Sequence, residues 1–308
     1  MKIYLNRSPV HGPWGGGAKT INKLVDGLRA QGHLVTYSLE PNIDLLFCFD
    51  PRPAPTGVGY DRLVDYKREN PRTKIIQRVG DVGSQGKSYL TDILRLCVEL
   101  GSTDYFIFPS TWARDYIEFE GENCRVVPNA PMKEFYTHRR TDTSTTLPVK
   151  VVTHHWSPNM RKGYPLYQRF DEWCNSGDRY EFHYIGQLPT GFQFTNYQKP
   201  MSAEELSREL PRHDIYLTAS EEEAGANHVL EGLAAGLPVV YKEDGGSIVE
   251  YCQDYGVSYE DFDEMIQSLE NVTSALRRYS VTAQQYQATS DDVVNEYIEI
   301  IGLVTDEG

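Results

Sequence analysis

Apolar and polar positions along the chain follow two periods in turn. Short apolar runs such as KIYL (2–5), DLLFCFD (44–50), KIIQRV (74–79) and DYFIFPS (104–110) read as strands covered on both faces. Between them lie stretches of helical spacing. In AKTINKLVDGLRAQGH the apolar residues Ile21, Leu24, Val25 and Leu28 share one face, and Gly32 supplies the stop. LVTYSL predicts a further strand, and SYLTDILRLCVELG and STWARDYIEFEG predict helices. The opening order is strand, loop NRSPVHGPWGGG, helix, strand, which is how a Rossmann-like α/β unit begins.

From Thr137 to Pro148 the chain reads THRRTDTSTTLP, hydroxyl-rich and poor in apolar residues, as a linker does. The α/β pattern then restarts. VKVVTHHW, YEFHYIG, DIYLTAS and LPVVY predict strands, and YPLYQRFDEWC, SAEELSREL, ANHVLEGLAAG, DEMIQSLENVTSALRRY and SDDVVNEYIEIIGLV predict helices. Two Rossmann-like domains are expected, over residues 1–147 and 148–289, followed by a final helix near 290–304.

Composition narrows the class. A chain of 308 residues with 40% hydrophobic and 24% charged residues is ordinary globular material. Its formal charge of −14 makes nucleic acid an improbable partner, because gripping phosphate needs a basic surface. The five cysteines are scattered without a CxxC pair, which predicts free thiols rather than a disulfide framework or structural zinc. No apolar run approaches the ~20 residues of a membrane span, and the first residues lack the apolar core of a signal peptide. A cytoplasmic protein with no transmembrane segment is expected.

The richest chemistry lies at 221–240, EEEAGANHVLEGLAAGLPVV. Here a strand, DIYLTAS, leads through a loop into a helix. Its apolar face is Val229, Leu230, Leu233 and Ala234, and Gly236 and Pro238 end it. Glu223 falls before the helix and Glu231 about one turn inside it. The amides of Gly225, Ala226 and Asn227 at the helix start favour an anion such as phosphate. A carboxylate only accepts hydrogen bonds, so each Glu suits the vicinal hydroxyls of a sugar or ribose. The bland alternative is equally physical: the acids favour a helix N-terminus and Glu231 faces solvent.

The run E-A-G-A-N-H-V-L-E-G-L-A-A-G-L-P-V-V resembles the E-x7-E signature of retaining GT-B-fold glycosyltransferases of family 4. Other segments resemble that family in the expected order: HGPWGGGAKTINKLVDGLRAQGH, FIFPSTWARDYI with VVPNAPMKEFY, and SPNMRKGYP. The resemblance implies two Rossmann-like domains facing each other across a cleft, the first binding a glycan or glycoconjugate acceptor and the second a nucleotide-diphosphate sugar. It implies that the final helix packs back on the first domain. By motif, Glu231 would bind ribose and Glu223 the donor sugar. Arg161 and Lys162 would hold the diphosphate, and Gly15, Gly16 and Gly17 would let backbone approach the donor phosphate or the acceptor. Basic side chains would take the place of a metal, so none is expected, and no cofactor beyond the co-substrate.

Two departures stand out. Trp156 occupies a position where the family often has an Arg, and QRVGDVGSQGKS lacks the His that many relatives carry near the reacting centre. Asp81, or else Arg78, is the expected catalytic substitute there, and His11 is a candidate for acceptor contact. GDVGSQGKS is one residue off the spacing of a P-loop, and DFD (261–263) sits where acids would serve a helix start rather than a metal. His154 and His155 close a strand, where packing or a substrate hydrogen bond is the expected use. Glu221 and Glu222 are expected as bystanders. Remaining alternatives are another GT-B enzyme, such as a sugar-nucleotide epimerase, and a sugar- or nucleotide-binding protein without turnover.

Overall fold

The computed structural model describes residues 1–9, 16–55 and 57–306. They divide into two compact units, Met1–Asn129 with the chain from Ser290 on, and Ala130–Thr289. In the first unit six strands form one parallel sheet: β1 (Lys2–Leu5), β2 (Leu34–Thr36), β3 (Leu45–Cys48), β4 (Lys74–Arg78), β5 (Tyr105–Phe108) and β6 (Cys124–Val126). Their order is β2-β1-β3-β4-β5-β6. The second unit repeats the scheme with β7 (Val149–His155), β8 (Tyr180–Gly186), β9 (Asn196–Gln198), β10 (Ile215–Thr218), β11 (Val239–Lys242) and β12 (Gly256–Tyr259). There the order is β12-β11-β10-β7-β8-β9, again parallel throughout.

The apolar runs account for this. All four residues of β3 and of β10 are buried, as strands between two helical layers require. The helix Gly16–Ala30 buries Ile21, Leu24, Val25 and Leu28, the face expected from its spacing. The helix Ser290–Asp306 buries Val293, Val294, Tyr297, Ile300, Ile301 and Val304 within the first unit, where it packs against helix Gly16–Ala30 and β4. Arg125 holds it from the sheet edge through Glu296 and Glu299, at 3.1 and 2.9 Å.

Residues 130–147, expected in the first domain, belong to the second unit. Two arginines explain this. Arg139 donates to five backbone carbonyls, those of Leu233, Ala234, Ala283, Gln284 and Tyr286, and so gathers the C-terminal ends of two helices. Arg140 pairs with Asp214 at 2.8 Å. The segment is hydroxyl-rich like a linker, but its two cations tie it to one side. DEMIQSLENVTSALRRY is not one helix; it breaks at Ala275 into Phe262–Ser274 and Leu276–Ala283. The helix Tyr60–Glu69 and strands β9 and β12 have no clear pattern in the sequence, being short or weakly apolar.

All five cysteines are free thiols. Among the described residues no helix is long and apolar enough to cross a membrane.

Candidate active site

In the second sheet β7 and β10 lie side by side, and the chain leaves them in opposite directions, β7 toward β8 and β10 toward β11. Such a switch point opens a crevice beyond the carboxyl ends of the two strands. Three loops meet there: 156–163 after β7, 219–226 after β10 and 243–246 after β11.

The first loop turns through Met160–Lys162, and Asn159 Oδ1 accepts from the Arg161 N–H at 2.9 Å to start the turn. Gly163 follows at φ 88°, and a Cβ there would lie 2.4 Å from Ala219 Cβ and 2.5 Å from its carbonyl oxygen. Only glycine permits both the conformation and the approach. The loop is thereby pressed onto the end of β10, where the Glu221 N–H donates to Arg161 O at 2.9 Å.

That approach assembles the charges. Lys162 and Glu223 form an ion pair, both side chains largely buried. Arg161 lies 3.2 Å from Glu221 and 3.6 Å from Glu222, and Lys242 lies 2.5 Å from Glu221 and 2.9 Å from Asp244. Burial pushes the Glu221 carboxyl up, but Lys242 and then Arg161 outweigh it and hold the carboxyl below its usual range. Glu221 and Glu222, expected as bystanders, have local structural roles: Glu221 joins two cations, and Glu222 takes the left-handed backbone conformation, φ 51°. That conformation costs about 1–3 kcal/mol for a non-glycine residue, and the loop is over-determined enough to hold it. The Glu223 N–H donates to Gly245 O at 3.1 Å and its carbonyl accepts from Ser247 N–H at 2.8 Å.

Glu231 sits on the helix Asn227–Ala234 as expected, but not facing solvent alone. Its Oε2 is 2.8 Å from His154 Nε2. Tyr216 Oη accepts from the His154 backbone N–H at 3.2 Å and lies 3.0 Å from His154 Nδ1. The same hydroxyl lies 3.4 Å from the His154 carbonyl oxygen, so Tyr216 touches both the ring and the backbone of His154, whose Nε2–H tautomer donates to Glu231. His155 and His228 lie deeper, their rings 4.8 Å apart, with His155 Nε2 2.9 Å from Tyr167 Oη and His228 Nε2 3.0 Å from Thr218 Oγ1. Burial pushes both imidazoles well below their usual range, His228 and Lys162 adding to it for His155, and Lys162 and His154 for His228. Both are neutral at pH 7. The buried Ser220 Oγ, at the end of β10, has no hydrogen-bond partner among the described residues.

The expected trio of phosphate-binding amides needs correction. The Ala226 N–H donates to Ser247 Oγ at 3.1 Å, because the third loop closes over the helix start. Gly225 and Asn227 flank it. Arg161, Lys162, Glu223 and Glu231 thus belong to one strand-end region of the second unit. Asp81, Gly16 and Gly17 belong to the first. Gly16 and Gly17 open the helix Gly16–Ala30, while Gly15 and His11 lie outside the described residues. Asp81 is engaged locally: Oδ1 accepts from Gly83 N–H at 2.9 Å and Oδ2 pairs with Lys87 at 2.8 Å. That pair also occupies the lysine of the near-P-loop. In DFD, Asp261 Oδ1 caps the helix Phe262–Ser274, accepting from Asp263 and Glu264 N–H at 2.9 and 3.0 Å. Among the described residues no group of three or more His, Cys, Asp or Glu is placed to hold a metal.

Sequence reasoning missed the His154–Glu231 bond, Lys242 and Ser247. The only signal was the HH pair at a strand end; the other two depend on how the loop after β11 folds back.

No protein-family model matches the chain, and no curated protein matches it by sequence. Solved structures do. The fold is similar to Anabaena Alr3699/HepE solved with UDP and glucose (TM-score 0.70, 12% identity, 98% of this chain and 99% of that one). It is also similar to sucrose-phosphate synthase from Thermosynechococcus elongatus (0.71, 10%, 100% of both chains). A third likeness is WaaG, a glycosyltransferase involved in lipopolysaccharide biosynthesis (0.67, 14%, 98% and 99%). At these identities the likeness concerns the fold: the chain has the α/β GT-B architecture of these glycosyltransferases.

Proposed function

We propose that the protein is a retaining glycosyltransferase that moves a sugar from a nucleotide-diphosphate donor to a hydroxyl acceptor without a metal. The observation that carries this is the pair of carboxylates at the switch point. Glu223 is held by a cation on the loop after β7, and Glu231 by an imidazole at the end of β7. Solved forms of HepE contain UDP or UDP-glucose, which supports a nucleotide sugar as the ligand class.

In this reading Glu231, oriented by His154, accepts the ribose hydroxyls. Glu223 accepts from donor-sugar hydroxyls, and Arg161 and Lys162 exchange their carboxylate partners for diphosphate oxygens. The amide of Asn227, at the start of its helix, adds a donor. The bond from the sugar's anomeric carbon to the diphosphate breaks and its electron pair leaves with the diphosphate. The acceptor hydroxyl attacks the same face, and its proton passes to the departing phosphate oxygen. The basic pair stabilises the charge that grows there, an effect on the order of 3–4 kcal/mol per well-placed donor.

The test is to incubate the full chain with UDP-, GDP-, ADP- and dTDP-sugars and a panel of sugar acceptors, and to measure released nucleoside diphosphate. Acceptor-dependent release with retained anomeric configuration is expected. Binding without release across the panel would instead identify a nucleotide-sugar-binding protein.

A further inference from the structure

The first unit contains a polar cavity of about 180 Å³ beyond the ends of β3 and β4, lined by Phe49, Asp50, Arg52, Arg78, Gly80 and Asp81 among others. Against the ~30 Å³ that one water occupies in the liquid, this admits a phosphate or carboxylate with several attached atoms.

The charges of its wall do not cancel. Asp50 is matched by Arg52, with Nε to Oδ1 at 2.9 Å and Nη2 to Oδ2 at 2.6 Å, and Arg7 lies 3.7 Å away. Asp81 is matched by Lys87. Arg78 has no carboxylate partner among the described residues, although it is only 7% exposed. Its Nε donates to Tyr297 Oη at 3.0 Å, and Phe49 lies under it with Cζ 5.6 Å from the ring centroid. Its Nη groups extend past Gly80 on the cavity wall, where a Cβ would sit 2.3 Å from Nη1. Guanidinium stays protonated in proteins, and a buried charge without a counterion costs several kcal/mol. A planar fork held on one edge, with its other edge open to a cavity, matches the two oxygens of an oxyanion.

We propose that this cavity binds an anionic group, carboxylate or phosphate, through Arg78, and that the group belongs to the acceptor, so that the transferase prefers anionic acceptors to neutral sugars. The second half rests on the transferase reading; the first does not.

The experiment titrates the full chain calorimetrically with D-glucuronate, D-glucose 6-phosphate and D-glucose. At least one anionic probe is expected to bind tenfold or more tightly than glucose, and the two arms tell carboxylate from phosphate. In Arg78→Gln the preference should vanish, and Arg78→Lys should recover part of it. Equal binding of charged and neutral probes to the wild type, or a preference that survives in Arg78→Gln, overturns the proposal. If Arg78→Gln fails to fold by circular dichroism, Gly80→Ala decides, since its methyl must displace Nη1. A full preference in that variant also overturns the proposal. Anion preference without nucleotide release would sink the transferase reading alone, and release with no anion preference would sink only this one.

Discussion

Glu223 and Glu231 carry the same functional group in different surroundings, and their substitutions should separate. Glu231 bonds a buried histidine that Tyr216 holds by its ring and its backbone, so it is a rigid acceptor suited to recognition. Glu231→Ala is expected to weaken UDP binding about ten- to a hundredfold, the value of one charge-assisted hydrogen bond. Glu223→Ala should leave UDP affinity near wild type and lower kcat. Titration and turnover on both variants check this, and equal losses of affinity would sink the division of roles. Gly163 is the residue on which the geometry depends. Gly163→Ala should cost on the order of 2 kcal/mol or more, because the methyl meets the backbone of Ala219 and the left-handed conformation is lost to it. A denaturation midpoint unchanged from wild type would contradict that account.

At the scale of elements, the end of β7 and the helix it faces form a buried imidazole layer. His155 and His228 there, and His213 elsewhere in the unit, are all displaced downward by burial, His213 to about 3. The unfolded chain takes up a proton at each near pH 6.5 while the folded chain does not. Their stability is therefore present above pH 6.5 and is lost as pH falls below it toward the folded values. For His213 the loss between pH 7 and pH 5 should be about 2 kcal/mol, and His155 and His228 act in the same direction. Urea unfolding of the second unit should show this steep loss, and His155→Gln should reduce the slope by about one proton. The carboxylates of Glu221 and Asp50 are displaced down, so their contribution fades only below the ordinary carboxylate range, in a separate window. Elements differed in how readable they were. β3, β10 and the helix Gly16–Ala30 were plain because burial on fixed faces imposes a period. The short helix Ser247–Cys252 was not, because it is ordered by Gly246 and by bonds to the Glu223 strand-end loop rather than by its own pattern.

At the scale of the molecule, the proposed donor and anion sites lie on different units. Ligand linkage can tell them apart. UDP at a hundred times its Kd should stabilise the second unit by about 2.7 kcal/mol, a shift of several degrees in its melting transition. The transition of the first unit should respond to the anionic probes instead. A UDP-induced shift confined to the first unit would overturn the assignment of the donor site.

The apolar periods and the spacing of Glu223 and Glu231 were enough, before any coordinates, to announce two α/β units and a helix start between two acids. Both follow from local rules, since burial dictates period and an N-terminus dictates where carboxylates and amides lie. Partner choice lies beyond such rules. That Lys162 meets Glu223, that His154 meets Glu231, that Ser247 takes the Ala226 amide and that Arg78 meets no acid among the described residues depend on which strands lie adjacent and how closely their loops approach. Those contacts join residues far apart in the chain, and only the packed sheets bring them within hydrogen-bond distance.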